Sequence, residues 1–141
     1  MNLFRQSVYY TIIIVGSLVL AGFSTRSNGQ DAIQFTAAQV ADGEAIYKET
    51  CQLCHGNRLS NGQFGTPLKG SFFRNNWKGK TLGELVLHTY NEMPPDNKQS
   101  LSMQQYANVV AFILSNNDIA PGDTAMSPDT DSLSLIPLPW Q

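Results

Sequence analysis

The chain has 141 residues, of which 42% are hydrophobic and 14% charged, enough for one packed domain and too apolar for wholesale disorder. From Gln30 onward seven Lys or Arg stand against eleven Asp or Glu, a net charge of −4, which argues against nucleic acid as a partner.

The first segment reads as a targeting sequence. Arg5 gives a positive start, residues 8–23 are apolar except for Thr11 and Ser17, and residues 24–30 turn small and polar. That is the charged, apolar, polar order of a secretory signal. The apolar run is slightly short for a full membrane span. Residues 1–29 are therefore read as a cleaved signal that sends the chain to the periplasm. Retention as an N-terminal anchor, with membrane association through residues 8–23, is the alternative. Leu20-Ala21-Gly22 resembles the start of a lipoprotein signal, but Phe23 stands where a lipidated cysteine should be.

Three helices follow in chain order. The first is expected over residues 37–51, with Thr36 as cap and Val40, Gly43, Ile46 and Tyr47 at helical spacing. A glycine inside a helix costs about 1 kcal/mol relative to alanine, so Gly43 suits a point where another helix crosses closely. The second is expected over residues 82–92, opened by the capping box of Thr81 and Glu84. The third is expected over residues 103–116, opened by Ser102 and Gln105 and striped by Tyr106, Val109, Val110, Ile113 and Leu114. Between the first two lies a loop, residues 56–80, with five glycines and the bulky Phe64, Leu68, Phe72, Phe73 and Trp77. A structureless loop of that length is unusual inside a domain. It makes sense if the aromatics wrap something other than protein, although plain core packing is the simpler role for most of them. Residues 119–141 carry five prolines or glycines and read as an irregular extension. Leu133, Leu135, Ile136 and Trp140 are expected to dock it on the domain of residues 30–118.

The chemistry centres on Cys51-Gln52-Leu53-Cys54-His55. In C-x-x-C-H the two thiols add across the two vinyl groups of a haem, and the histidine that follows ligates the iron. A thioredoxin-like pair would need a βαβ setting, which is absent. A zinc site needs four ligands, and the rest of the chain offers no cysteine and one histidine, His88. A surface disulfide would leave His55 without a purpose. Covalent attachment of one haem c through Cys51 and Cys54, with His55 on the iron, is the reading these residues support.

Met93, in Asn91-Glu92-Met93-Pro94-Pro95, is the candidate for the second iron ligand. The prolines stop the helix and stiffen the chain beside it, and a methionine ligand raises the reduction potential. Met93 as a core side chain, His88, Met103 or Met126 as ligand, and an open iron position are the competing readings. His88 is expected off the helix face that carries Leu85 and Met93. A backbone carbonyl of Gly65-Thr66-Pro67-Leu68 could accept the second N–H of His55 and fix its tautomer. Trp77 or Arg58 could donate to a haem propionate. The uneven charge, with Arg58, Lys69, Arg74, Lys78 and Lys80 in a stretch without acids and Asp118, Asp123, Asp129 and Asp131 in the tail, suits either a solvated face or a docking surface.

These residues resemble the class I cytochrome c family over residues 40–117. The resemblance rests on Gly43 and Tyr47, Cys51-x-x-Cys54-His55, Pro67-Leu68, Trp77, Met93-Pro94 and residues 106–114. Within that family the chain is similar to the cytochrome subunits and domains of quinoprotein (PQQ) alcohol and sugar dehydrogenases. Residues 77–85, Met93-Pro94-Pro95, Leu101-Ser102, Tyr106-Ala107 and Pro121-Gly122-Asp123 carry that likeness. The resemblance implies an all-α fold of three main helices and long loops around one covalent haem. It implies a crossing of the first and last helices near Gly43 and Tyr106, and His55 and Met93 as axial ligands. It also implies a hydrogen bond from the His55 ring N–H to the Pro67 carbonyl and a haem pocket that includes Pro67, Leu68 and Trp77. The function implied is electron transfer without a catalytic residue, between a quinoprotein dehydrogenase as donor and an oxidase or another cytochrome as acceptor.

Overall fold

A computed structural model describes residues 32–140; the leader read from residues 1–29 lies outside them. The helices run α1 (Ala37–Thr50), α2 (Gln52–His55), α3 (Gly70–Asn76), α4 (Leu82–Glu92), α5 (Met103–Ser115) and α6 (Thr130–Leu133). Among the described residues there is no strand, only two isolated bridges, Thr36 to Gly122 and Thr81 to Pro137. The fold is all-α, as expected. No described helix is long and apolar enough to cross a membrane.

The three main helices start where their capping residues dictate. Thr36 with Gln39, Thr81 with Glu84 and Ser102 with Gln105 each close a reciprocal box, side chain to backbone amide in both directions. Each box satisfies two amides that a helix start would otherwise leave without a partner.

α5 departs from the expected amphipathic stripe. All nine residues from Tyr106 to Leu114 are buried, because α1 covers one side and α4 another. α1 crosses it where Gly43 faces the carbonyl oxygen of Asn108, and a Cβ at Gly43 would collide with that oxygen. The crossing is therefore at Asn108, two residues beyond the expected Tyr106. One turn later Tyr47 packs on Phe112, ring centroids 5.3 Å apart. α1's buried line is Gln39, Gly43 and Tyr47, one residue per turn.

The long loop is less irregular than its glycines suggest. It contains α3, which buries Phe73, while Phe72 and, before the helix, Phe64 turn outward. Only Phe73 and Trp77 among the loop's aromatics are buried. Asn117, beyond the end of α5, ties the loop down. Its amide donates to the carbonyls of Leu68 and Ile113, both at 2.9 Å, and its oxygen accepts from the Gly70 amide at 3.0 Å.

The extension after α5 is strapped around the helices. The buried side chain of Gln39 accepts from the Met126 amide at 2.7 Å and donates to the Met126 carbonyl at 3.0 Å. It also donates to the Asn108 side chain at 3.1 Å, so one amide joins α1, α5 and the strap. Further on, Asp129 caps α6, Ser134 packs on Gly83 of α4, and Leu133 and Leu138 enter the core. Leu135 is the correction here: it is 77% exposed and does not dock.

Substituting Gly43 with alanine tests the crossing. Intrinsic propensity alone would add about 1 kcal/mol of helix stability. Overpacking against Asn108 instead lowers stability by about 1–3 kcal/mol, measurable as a lower midpoint in chemical denaturation. A gain in stability would show that the helices do not meet there.

Candidate functional site

The site is built by the turn that follows α1. Tyr47, on the last turns of α1, accepts the Cys51 amide through its carbonyl at 2.9 Å. The chain then re-coils, with the Cys54 and His55 amides donating to the Cys51 carbonyl at 3.2 and 3.0 Å. Gly56, at φ +80°, ends this short helix in a conformation that favours glycine. The Tyr47 hydroxyl donates to the Gly56 carbonyl at 2.7 Å. That bond pins the start of the outgoing loop to α1, so Cys51, Cys54 and His55 sit on a segment fastened at both ends.

The loop then returns over His55. The Gly65 amide donates to the Cys54 carbonyl at 2.9 Å, and the Nδ1 of His55 lies 2.8 Å from the carbonyl oxygen of Thr66. A carbonyl only accepts, so Nδ1 carries a proton, and in the neutral ring this leaves the Nε2 lone pair for a metal. The partner of His55 is thus Thr66, one residue before the Pro67 that the resemblance implies. Gly65 is required beside it: a Cβ there would come within 2.6 Å of the imidazole Nδ1. His55 itself is only 8% exposed.

Cys51, Cys54 and His55 open onto a cleft with about 780 Å³ of space not filled by protein, part of it open to solvent. Thr66, Pro67 and Leu68 continue one wall. Phe73, Asn76 and Trp77 form a second, and Val109 and Ile113 of α5 line it too. From α4 come Leu85, His88 and Thr89, followed by Met93, Pro94 and Pro95. All seven residues singled out in the sequence, Cys51, Cys54, His55, Pro67, Leu68, Trp77 and Met93, therefore meet in one cleft. His88 corrects an expectation: it lines the same cleft as Leu85 and Met93 and stands edge-on to Trp77 at 5.4 Å between ring centroids.

Met93 is held by two features that its own neighbourhood in sequence does not reveal. Its carbonyl accepts the hydroxyl of the buried Tyr106 at 2.7 Å. The loop beyond it is closed by Lys98 on Glu92 at 2.7 Å and Gln99 on Asn91 at 3.3 Å. The hydrogen bond and charge of Lys98 hold the Glu92 carboxyl below its ordinary value. Arg58 does not line the cleft; it lies on a second, open depression with Lys69 and Glu44.

The residues fit a covalently held haem. The cleft is walled largely by apolar groups, its two thiols are unpaired, and its buried imidazole has the tautomer of a ligand. Burial, and next the charge of Cys54, push the Cys51 thiol up to about 11, so it stays a neutral S–H at physiological pH.

An all-α domain closed around such a cleft, with C-x-x-C-H on its rim, defines a class I c-type cytochrome. Comparison with known families agrees. The family described as cytochrome C oxidase, cbb3-type, subunit III matches residues 38–113, and the chain belongs to it. The family indicates an electron-transfer protein rather than an enzyme, and it implies covalently bound haem c. Among solved structures, the chain is similar to one from the sulfane dehydrogenase SoxCD of Paracoccus pantotrophus, with 23% identity and a TM-score of 0.51. The match covers 71% of this chain and 53% of that one, so this chain spans about half of its length, and the likeness concerns the fold. Comparison with curated proteins gives no match.

Tyr47 offers a test of this geometry through pH. Burial, and then the neighbouring Cys51, push its phenol from 10 up to about 12. The folded state thus favours the neutral phenol. The stability this contributes is complete below pH 10 and is lost as pH rises toward 12. Tyr47→Phe leaves the Gly56 carbonyl without its donor and costs about 1–3 kcal/mol at neutral pH. The gap to wild type narrows through the alkaline window, measured by denaturation at a series of pH values. A gap constant across that window would show that the phenol does not titrate as described.

Proposed function

We propose that this chain is an exported, single-haem c-type cytochrome that carries one electron at a time. The observation that carries the proposal is the convergence of Cys51, Cys54, His55 and Met93 on one cleft, from two segments separated by the whole loop and α4. In this reading Cys51 and Cys54 would hold the haem through thioethers, and His55 and Met93 would ligate its iron. With two side-chain ligands the iron would have no vacancy for a substrate, which suits a carrier. Haem held in this way supplies reversible change between ferrous and ferric iron.

The protein's own residues do the rest. Thr66 and Gly65 keep the His55 ring in one orientation, a neighbour effect that tunes a metal ligand. Tyr106 and the Glu92–Lys98 clasp keep Met93 from swinging out. The apolar walls exclude water, which raises the energy of the more charged ferric form. Leu53 and Phe64, 87% and 80% exposed, flank Cys54 and offer an apolar contact beside the attachment point. Such contacts are small and weak, and the basic residues of the loop would make their rates depend on salt.

The matched family is described by an oxidase subunit, and the similar solved chain comes from a dehydrogenase. Both are redox assemblies, which supports redox partners in general; the likeness of residues 77–85 and Met93-Pro94-Pro95 to quinoprotein-associated cytochromes favours an exported quinoprotein dehydrogenase as donor and an oxidase or another cytochrome as acceptor. Periplasmic location rests on Arg5 and the apolar run of residues 8–23.

Met93→Ala is the direct test. The variant is expected to have a lower reduction potential, and its reduced form to bind carbon monoxide that the untreated wild type excludes. Rapid carbon monoxide binding by the wild type would contradict the carrier reading. An unchanged potential in Met93→Ala, with a shift in His88→Ala, would give the second ligand to His88. Gly65→Ala is expected to tilt His55 and weaken its bond to Thr66, seen as loss of low-spin character; an unaltered spectrum would show that the ring tolerates a methyl group there.

A further inference from the structure

We infer that Trp140, at the end of the C-terminal strap, is a positioning residue for the haem cleft and helps to set the reduction potential. The inference rests on the covalent-haem reading above. Trp140 does not line the cleft, but it fastens both ends of one wall. Its ring meets Phe73 edge-on, with centroids 5.5 Å apart. Phe73 in turn packs on Trp77 at 6.2 Å, and both line the cleft. Its carbonyl accepts the Gly79 amide at 3.2 Å, which holds the turn that follows Trp77. Gly79 sits at φ +72°, and the Lys80 amide closes the turn on the Trp77 carbonyl at 3.2 Å.

The strap arrives at this place under control. The Leu82 amide donates to Ile136 at 2.8 Å and the Leu138 amide to Lys80 at 2.9 Å, and Leu138 is fully buried. Trp140 is thus delivered by a registered segment rather than by a loose end. The cation of Lys80 lies 4.8 Å from the centre of the Trp77 ring, on the same wall. Without the Trp140 ring, Phe73 loses its outer support, the wall loosens, and water gains access to the haem. A wetter site favours the more charged ferric state, so the potential falls.

The test compares full-length, haem-loaded wild type with Trp140→Ala, Trp140→Leu and Trp140→Phe, and with Leu135→Ala as a control on the same strap. The expected result is a lower potential for the alanine and leucine variants, recovery toward wild type for phenylalanine, and no shift for Leu135→Ala. A folded Trp140→Ala or Trp140→Leu with the wild-type potential overturns the inference. So does failure of all three Trp140 variants to fold, which would assign the residue to global stability alone. Colourless wild-type protein would instead sink the haem reading itself, so the two failures are distinguishable.

Discussion

The close crossing of α1 on α5 is the constraint on which the rest depends. Gly43 lets the backbone of α1 lie against the Asn108 carbonyl, and that contact fixes where α1 ends. The Cys51–His55 turn follows directly, so the reach of α1 decides where the thiols and the imidazole emerge. α5 supplies the opposite references: Val109 and Ile113 line the cleft, and Tyr106 holds the Met93 carbonyl. The thiols and imidazole thus hang from α1, and Met93, at the end of α4, is tied to α5, across a crossing that a missing methyl group allows. Interiors packed at crystal-like density transmit such a constraint rather than absorb it.

Buried amides do the cross-linking that a domain of this size cannot leave to apolar contact alone. Gln39 joins α1, α5 and the strap, and Asn117 joins α5 to the loop. Among the described residues no buried side-chain nitrogen or oxygen lacks a partner, so these groups specify the packing without the cost of an unmet hydrogen bond. Their common effect is to hold two irregular segments, the loop and the strap, against the walls of the cleft.

Much of this was legible in the sequence. Thr36 as a cap, and the boxes of Thr81 with Glu84 and Ser102 with Gln105, mark the starts of α1, α4 and α5, because each has a local geometric meaning; Gln39 as the reciprocal partner of Thr36 emerges only in the structure. The spacing of Cys51, Cys54 and His55 is equally local, and Gly43 announces a close approach. What stayed hidden is long-range or carried by backbone. The partner of His55 is the Thr66 carbonyl, and every residue has a carbonyl, so no letter marks it. α3 begins at a glycine after a lysine that provides no side-chain cap, which left residues 56–80 looking structureless. No local pattern marks Gln39 as buried; it becomes a buried tie through the returning strap. His88 follows Leu85 by three residues, nearly one turn, so the cleft takes in both although the spacing sets His88 off the face of Leu85 and Met93. Leu135 looked like an anchor by composition alone, whereas the register of the strap turns Leu133 and Leu138 inward and leaves Leu135 outside.

In the proposed function the chain is a scaffold that holds one redox group, shields it and lets electrons pass at its edge. Everything turns on whether Cys51 and Cys54 are both consumed in thioether bonds to a single haem. Intact-mass analysis of protein made in a host with haem-attachment machinery, before and after thiol alkylation under denaturing conditions, measures this directly. The account predicts a mass increased by one haem, retained on unfolding, with no alkylation. A chain of unmodified mass that takes up two alkyl groups, or one whose haem is lost on unfolding, would contradict it.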